Sequence, residues 1–202
     1  MARVGISITK SITFRGVAQE FSNTYYYEGP ALPGETVAET MIDFLVTEEK
    51  QIHATTVSFK RGRCWSAGGT NQTNQMIKDK ALTGTGSATA NSFLDRERAV
   101  LVRFRAGNDT KGRPVYLRKW WHLDVAAIGG SGISNPQAQN VDQLVSAQRA
   151  TIVGWGDDIK QMTPTGGAGT YNLCSKNGRL IDGATIAHPY LEHHQLGDMW
   201  RT

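Results

Sequence analysis

Ala99-Val100-Leu101-Val102-Arg103-Phe104-Arg105 and Val115-Tyr116-Leu117-Arg118-Lys119-Trp120-Trp121-His122-Leu123 flank the link Gly107-Asn108-Asp109-Thr110-Lys111-Gly112. β-Branched and aromatic residues dominate both flanks, and the link is made of residues that tolerate tight turns. The stretch therefore reads as a long antiparallel hairpin. By parity Tyr116, Arg118, Trp120 and His122 share one face. Val115, Leu117, Lys119, Trp121 and Leu123 occupy the other, which is the candidate core side.

Working back toward the N-terminus, Val4, Ile6 and Ile8 alternate with Gly5, Ser7 and Thr9. Ile12 and Phe14 follow after a bulge expected near Lys10-Ser11. Phe21 to Glu28, with Tyr25-Tyr26-Tyr27, reads as a second strand, ended by Pro30 and Pro33-Gly34. A helix is predicted from about Glu35-Thr36 to Ile52. Its acidic start suits the positive end of the helix dipole. Val37, Met41, Leu45 and Ile52, flanked by Ile42 and Val46, form a core-facing stripe. Thr55 to Trp65 returns to strand, with Val57, Phe59, Arg61, Arg63 and Trp65 on one face by parity. Residues 66–95 are small and polar and read as a long excursion, with a short helix around Asn74 to Ala81 inside it. Such segments are commonly functional or ordered against a neighbour.

On the C-terminal side, Gly129-Gly130-Ser131-Gly132 leads to Asn135-Pro136, an N-cap followed by proline at the first helical position. Val141, Leu144, Val145 and Ile152 make this a second amphipathic helix. A Gly-rich link from Thr163 to Thr170 precedes strands at Tyr171–Ser175 and Arg179–Ile186, which flank the turn Lys176-Asn177-Gly178. His188 to Thr202 reads as irregular or briefly helical. The expected class is α+β: a mainly antiparallel sheet, two amphipathic helices and long Gly-rich loops in one domain, 1–202. Within it, 1–65 and 96–186 suggest two halves separated by the 66–95 excursion, although the residues themselves do not repeat.

The 202 residues suffice for a sizeable core without metals or disulfides. Cys64 and Cys174 are expected as buried, reduced thiols. Met1-Ala2-Arg3 runs straight into the alternating pattern, so no secretory leader is expected. No run of about 18 apolar residues suggests a membrane span. Charge is segregated. From Thr55 to Trp120 there are thirteen Lys or Arg against four acidic residues, and the rest of the chain holds nine against fourteen. A cationic middle with anionic flanks can bind polyanions or copies of itself.

No residue set announces a reaction. The Gly-rich loops lack the endings of phosphate-binding loops. Ser7-Ile8-Thr9-Lys10 matches S-x-x-K but lies in a strand without the companion motifs of that hydrolase class, and reads as coincidence. His188, Glu192, His193 and His194 are the densest set of potential metal ligands. With no second pair at zinc spacing they read as a solvated or interface-bound tail. Asp157-Asp158 reads as a solvated turn. The expectation is no enzyme, no cofactor and no metal. The candidate interface or polyanion-binding set is Lys60, Arg61, Arg63, Trp65, Arg103, Arg105, Arg113, Tyr116, Arg118, Lys119 and Trp120. Arg, Trp and Tyr together suit interface hot spots and equally suit base stacking with phosphate neutralisation. The acidic flanks supply a complement and the net charge is modest, which favours self-association.

Ser11-Ile12-Thr13-Phe14-Arg15-Gly16, Tyr25-Tyr26-Tyr27 and Gly112-Arg113-Pro114-Val115-Tyr116-Leu117-Arg118-Lys119-Trp120-Trp121-His122 resemble stretches of uncharacterised bacteriophage virion proteins. The Gly/Thr/Ser-rich loops are similar in texture to coat, tail-tube and head–tail joining proteins. The resemblance implies a self-assembling virion subunit, made in the host cytoplasm, whose partners are its own copies and other virion proteins. The alternative is a single-stranded nucleic-acid-binding protein using the basic, aromatic sheet face. A third reading is an enzyme with a site around His122 or the His188–His194 tail.

Overall fold

Val4, Ile6, Ile8, Lys10 and Ile12 share one parity, as do Phe21, Asn23, Tyr25 and Tyr27, and these two rows meet on one face of a sheet. The structure, a computed structural model, describes residues 1–14, 16–53, 55–68, 74–87, 98–108, 113–123, 155–156, 158–176 and 190–195. Strand β1 (Ala2–Phe14) pairs along its whole length with β2 (Val17–Gly29). Helix α1 (Glu35–Ile52) follows, then β3 (Ser58–Ser66) and β4 (Met76–Ala81). Next come β5 (Arg98–Asn108) and β6 (Pro114–Leu123), then β7 (Gln161–Met162), β8 (Tyr171–Cys174) and β9 (Tyr190–Gln195). One sheet runs β4-β3-β1-β2-β8-β7 and a second runs β6-β5-β9. Every described pairing is antiparallel.

The predicted helix is present. Gly34 stands at its N-cap and Glu35 lies in its first turn. Ala38, Met41, Ile42, Leu45 and Glu49 recur at helical spacing and are fully buried against the sheet, and Val46 is nearly so. Each fully buried Leu, Ile or Met contributes about 1.5–3 kcal/mol. Tyr27 closes the far side of this core by donating its hydroxyl to the Ile159 carbonyl at 2.7 Å. Trp155, Ile159 and Met162 complete the apolar cluster.

The central hairpin is also present. Arg103 pairs with Arg118 and Leu101 with Trp120, and the register shifts between Arg105 and Gly107. The expected bulge near Lys10 occurs on one side only: the β1–β3 register shifts between Thr9 and Lys10, whereas the β1–β2 ladder is unbroken.

Three expectations need correction. The short helix around Asn74 to Ala81 is instead β4, an edge strand registered against β3 from Arg61 to Trp65, so the 66–95 excursion contains part of the sheet. Met76-Ile77-Lys78-Asp79-Lys80 has helix-compatible composition, and cross-strand partners override such weak local preference. The face assignment for β3 holds only to Phe59. The shift at Lys60–Arg61 flips the alternation, so Val57 and Phe59 point to the core together with Gly62, Cys64 and Ser66. Arg61, Arg63 and Trp65 lie on the opposite face. The irregular or helical reading of the tail is replaced over Tyr190–Gln195 by β9, which hydrogen-bonds to β5. Beyond these, β7 and β8 extend the first sheet through β2. The predicted second helix (Asn135 to Ile152) and the Arg179–Ile186 strand lie outside the described residues, as do the loop at Gly129–Gly132 and His188. Residues 163–170 connect β7 to β8, and Thr163 and Thr170 share a hydroxyl hydrogen bond at 3.0 Å.

Candidate functional site

The structure splits the sequence-predicted basic and aromatic set between two sheets. Lys60, Arg61, Arg63 and Trp65 belong to β3. Arg103 and Arg105 belong to β5, and Tyr116, Arg118, Lys119 and Trp120 to β6, with Arg113 exposed just before β6. The hairpin register places Arg103 opposite Arg118, Arg105 opposite Tyr116 and Lys119 opposite Val102. The four hairpin cations therefore stand within four successive rungs of the ladder.

On β3 and β4 the charges are closed within the subunit. Arg61 grips Asp79 with both arms of its fork, Nε reaching Oδ1 at 2.6 Å and Nη2 reaching Oδ2. Arg63 Nε lies 3.5 Å from the same carboxylate. The hydrogen bond from Arg61 holds the Asp79 carboxyl below its ordinary range, and Asp79 in turn raises the guanidinium. Across the helix-facing side, Lys78 reaches Glu35 at 2.7 Å and Glu39 at 3.1 Å. Lys80 reaches Glu39 at 2.9 Å and Asp43 at 2.8 Å. Part of the charge segregation in the sequence is thus a helix–edge-strand ladder. Lys60, at the bulge, is exposed.

Trp65 packs within the sheet. Its indole lies over Gly5, where a Cβ would stand 2.4 Å from Cε2. The Tyr26 ring meets it edge-on, with centroids 6.4 Å apart and planes at 87°. Gly5 is registered to both Trp65 and Tyr26, so the glycine leaves the groove that the indole fills.

The densest chemistry lies under the helix, and sequence reasoning missed it. Lys10, Asn23 and Glu49 come from β1, β2 and α1, and all are buried, Lys10 and Glu49 completely. One oxygen of the Glu49 carboxylate takes Lys10 Nζ. The other accepts from Asn23 Nδ2 at 3.0 Å and from the Tyr25 hydroxyl. His53 Nε2, one turn along the helix, stands 3.7 Å from the Lys10-bound oxygen. Phe21 lies 5.2 Å from the Lys10 ammonium nitrogen and packs edge-on against His53.

Burial lowers the Lys10 pKa in spite of the attraction to Glu49. Burial works to raise the Glu49 pKa, but Lys10 and His53 outweigh it and hold the carboxyl at about 2. Burial and then the adjacent carboxylate keep the Tyr25 hydroxyl protonated far above its ordinary range. A short proton path between an amine and a carboxylate thus lies sealed from water. The signal was present in the sequence, because Lys10 and Asn23 sit at core parity between apolar neighbours and Glu49 sits one turn beyond Leu45 on the buried stripe.

Among the described residues no group of three or more His, Cys, Asp or Glu is arranged to hold a metal ion. Glu192, His193 and His194 are consecutive residues of β9, registered to Leu101, Val100 and Ala99. Both cysteines are buried and free, and burial pushes each thiol up to about 12. No described helix is long and apolar enough to cross a membrane. Comparison of the chain with protein-family models, curated proteins and solved structures returns no match.

Proposed function

We propose that this chain is a non-enzymatic structural subunit that assembles with copies of itself, as a coat, tail or connector component of a phage-like particle. The observation that carries the reading is the end of the β1–β2 hairpin. Both strands are 13 residues long, yet β3 is registered to β1 only from Val4 to Ser11, and β8 meets β2 only at Tyr26–Glu28. The last rungs, Ile12↔Gln19, Thr13↔Ala18 and Phe14↔Val17, have no further strand partner among the described residues. They end at Gly16, whose φ of +78° suits glycine, and at Val17, which is 57% exposed. Ile12 is buried within the subunit, but the two rungs beyond it form a two-stranded ribbon, which is marginal by itself in water and gains order by packing on a neighbour. The particle assignment rests on the sequence resemblance.

The closed charge ladders of β3 and β4 support self-assembly over nucleic-acid binding, since Arg61, Arg63, Lys78 and Lys80 already have carboxylate partners. The test lies in the β5–β6 hairpin. Light scattering and negative-stain imaging of the purified chain should show a defined oligomer, ring, tube or shell. Reversing Arg103 and Arg105 to Glu should disrupt it. A monomer at tens of micromolar across a range of salt would refute the proposal. Micromolar oligonucleotide binding, lost on that reversal at constant oligomer size, would do so too. Such binding would weaken with log salt at roughly 0.7 per phosphate contact for single strands.

A further inference from the structure

Lys10, Asn23 and Glu49 have a more specific chemistry than ion pairing, and it is independent of the assembly reading. Lys10 is registered to Phe21 and Asn23 to Ile8, so Lys10 and Asn23 are diagonal neighbours on the helix-facing side of the β1–β2 ladder. Diagonal partners stand roughly 7–8 Å apart at Cα, within reach of a long side chain. Glu49 bonds to both nitrogens, Lys10 Nζ on one oxygen and Asn23 Nδ2 on the other. An amine, a carboxamide and a carboxylate that touches the attacking and the departing nitrogen constitute the parts of an amide exchange.

We infer that the folded chain joins Lys10 to Asn23 through an intramolecular isopeptide bond, with Glu49 as the proton shuttle. Glu49 accepts a proton from the Lys10 ammonium, leaving a neutral amine. Nζ attacks Asn23 Cγ and forms the new C–N bond. The Cγ–Nδ2 bond breaks as Glu49 returns the proton to Nδ2, and ammonia departs; the second proton of the amine leaves through the same carboxylate. One carboxamide and one amine become one secondary amide and ammonia, with no oxidant, cofactor or activating group.

The surroundings suit each step. Burial depresses the Lys10 pKa, which makes the free amine more accessible. Lys10 and His53 hold Glu49 at about 2, so the neutral pair is the minor state on which the reaction draws, and low polarity lessens the cost of reaching it. The Tyr25 hydroxyl and the Glu49–Asn23 bond hold the carboxylate in place. Phe21, Tyr25 and the apolar helix face exclude water, which protects the amide from hydrolysis. The product is a covalent clasp at the root of the hairpin arm, equivalent in placement to a disulfide but indifferent to reductants.

Mass spectrometry of the purified, folded full-length chain tests this directly. After prolonged incubation the intact mass, corrected for any removal of Met1, should be lower than the sequence mass by one ammonia. Trypsin should then skip Lys10 and release Val4–Arg15 joined to Gly16–Lys50, since no Lys or Arg lies between Arg15 and Lys50. Lys10→Arg, Asn23→Ala and Glu49→Gln should each retain the full sequence mass. An unshifted wild-type mass would overturn the proposal, and this readout does not depend on any variant folding. Loss of ammonia with Lys10 still cleaved, as a succinimide at Asn23 would give, would overturn it as well. A cross-link that persists in Glu49→Gln would overturn the assigned shuttle.

Discussion

Replacing Gly5 by alanine probes the order β3-β1-β2 at its most constrained point. An added Cβ would lie 2.4 Å from Trp65 Cε2 and 2.5 Å from Cζ2, so the indole or the strand must move. Overpacking of this kind costs roughly 1–3 kcal/mol. Trp65 lies on the outer face and is only partly buried, so its ring can swing outward, which places the cost near the lower end. The swing would also forfeit the edge-on contact with Tyr26, a geometry worth about 0.5–1.5 kcal/mol. In a chain of this length each kcal/mol lowers the melting temperature by about 2–4 °C. In a Trp65→Ala background the obstruction is gone. The same Gly5→Ala change should then be neutral or slightly stabilising, because glycine in a strand interior is worse than alanine by about 0.5–1 kcal/mol. Thermal unfolding of wild type, both single variants and the double variant, followed by far-ultraviolet circular dichroism, completes the cycle. Equal costs of Gly5→Ala in both backgrounds would show that Trp65 does not sit over Gly5, and the β1–β3 register would be wrong.

Leu45→Ala, at a fully buried position of α1, should destabilise by roughly 2–5 kcal/mol in urea titration. If it altered assembly and left stability untouched, the stripe would be an interface. In an Asn23→Ala chain, where no cross-link can form, Glu49 keeps its ion pair with Lys10, with His53 and Tyr25 alongside. A folded pKa of about 2, below the ordinary 4.5, means its contribution is complete above 4.5 and is lost as pH falls through 2. Acid titration of stability should lose that component when Glu49→Gln is added, and superimposable acid limbs would refute the assignment. Cys64 and Cys174 should be unreactive toward a thiol reagent in the native chain and fully reactive in denaturant, because burial pushes both thiols up to about 12. Rapid native labelling of either one would contradict its placement.

Local pattern by itself determined where periodicity is strong. The stripe Met41, Ile42, Leu45 and Val46 identified α1, alternation from Val4 to Ile8 identified β1, and the two flanks of Gly107–Gly112 identified the β5–β6 hairpin. These signals survive because burying one face of an element imposes its period on the residues that form it. Only tertiary pairing decided the remainder. β4 and β9 are short segments whose composition carries no period, and they become strands because β3 and β5 offer unsatisfied backbone edges. The faces of Arg61, Arg63 and Trp65 depended on a single extra residue at the bulge, and alternation counted along the sequence cannot register such an insertion. The charge segregation was legible as a sum. Its partition into Arg61–Asp79 and the Lys78 and Lys80 bridges to α1 followed from packing the helix beside an edge strand. Lys10, Asn23 and Glu49 stood at core parity all along, each an apparent interruption in an apolar row. Parity says that a side chain points inward but not which others it meets. Their convergence required β1, β2 and α1, separated by up to 39 residues, to close on one another.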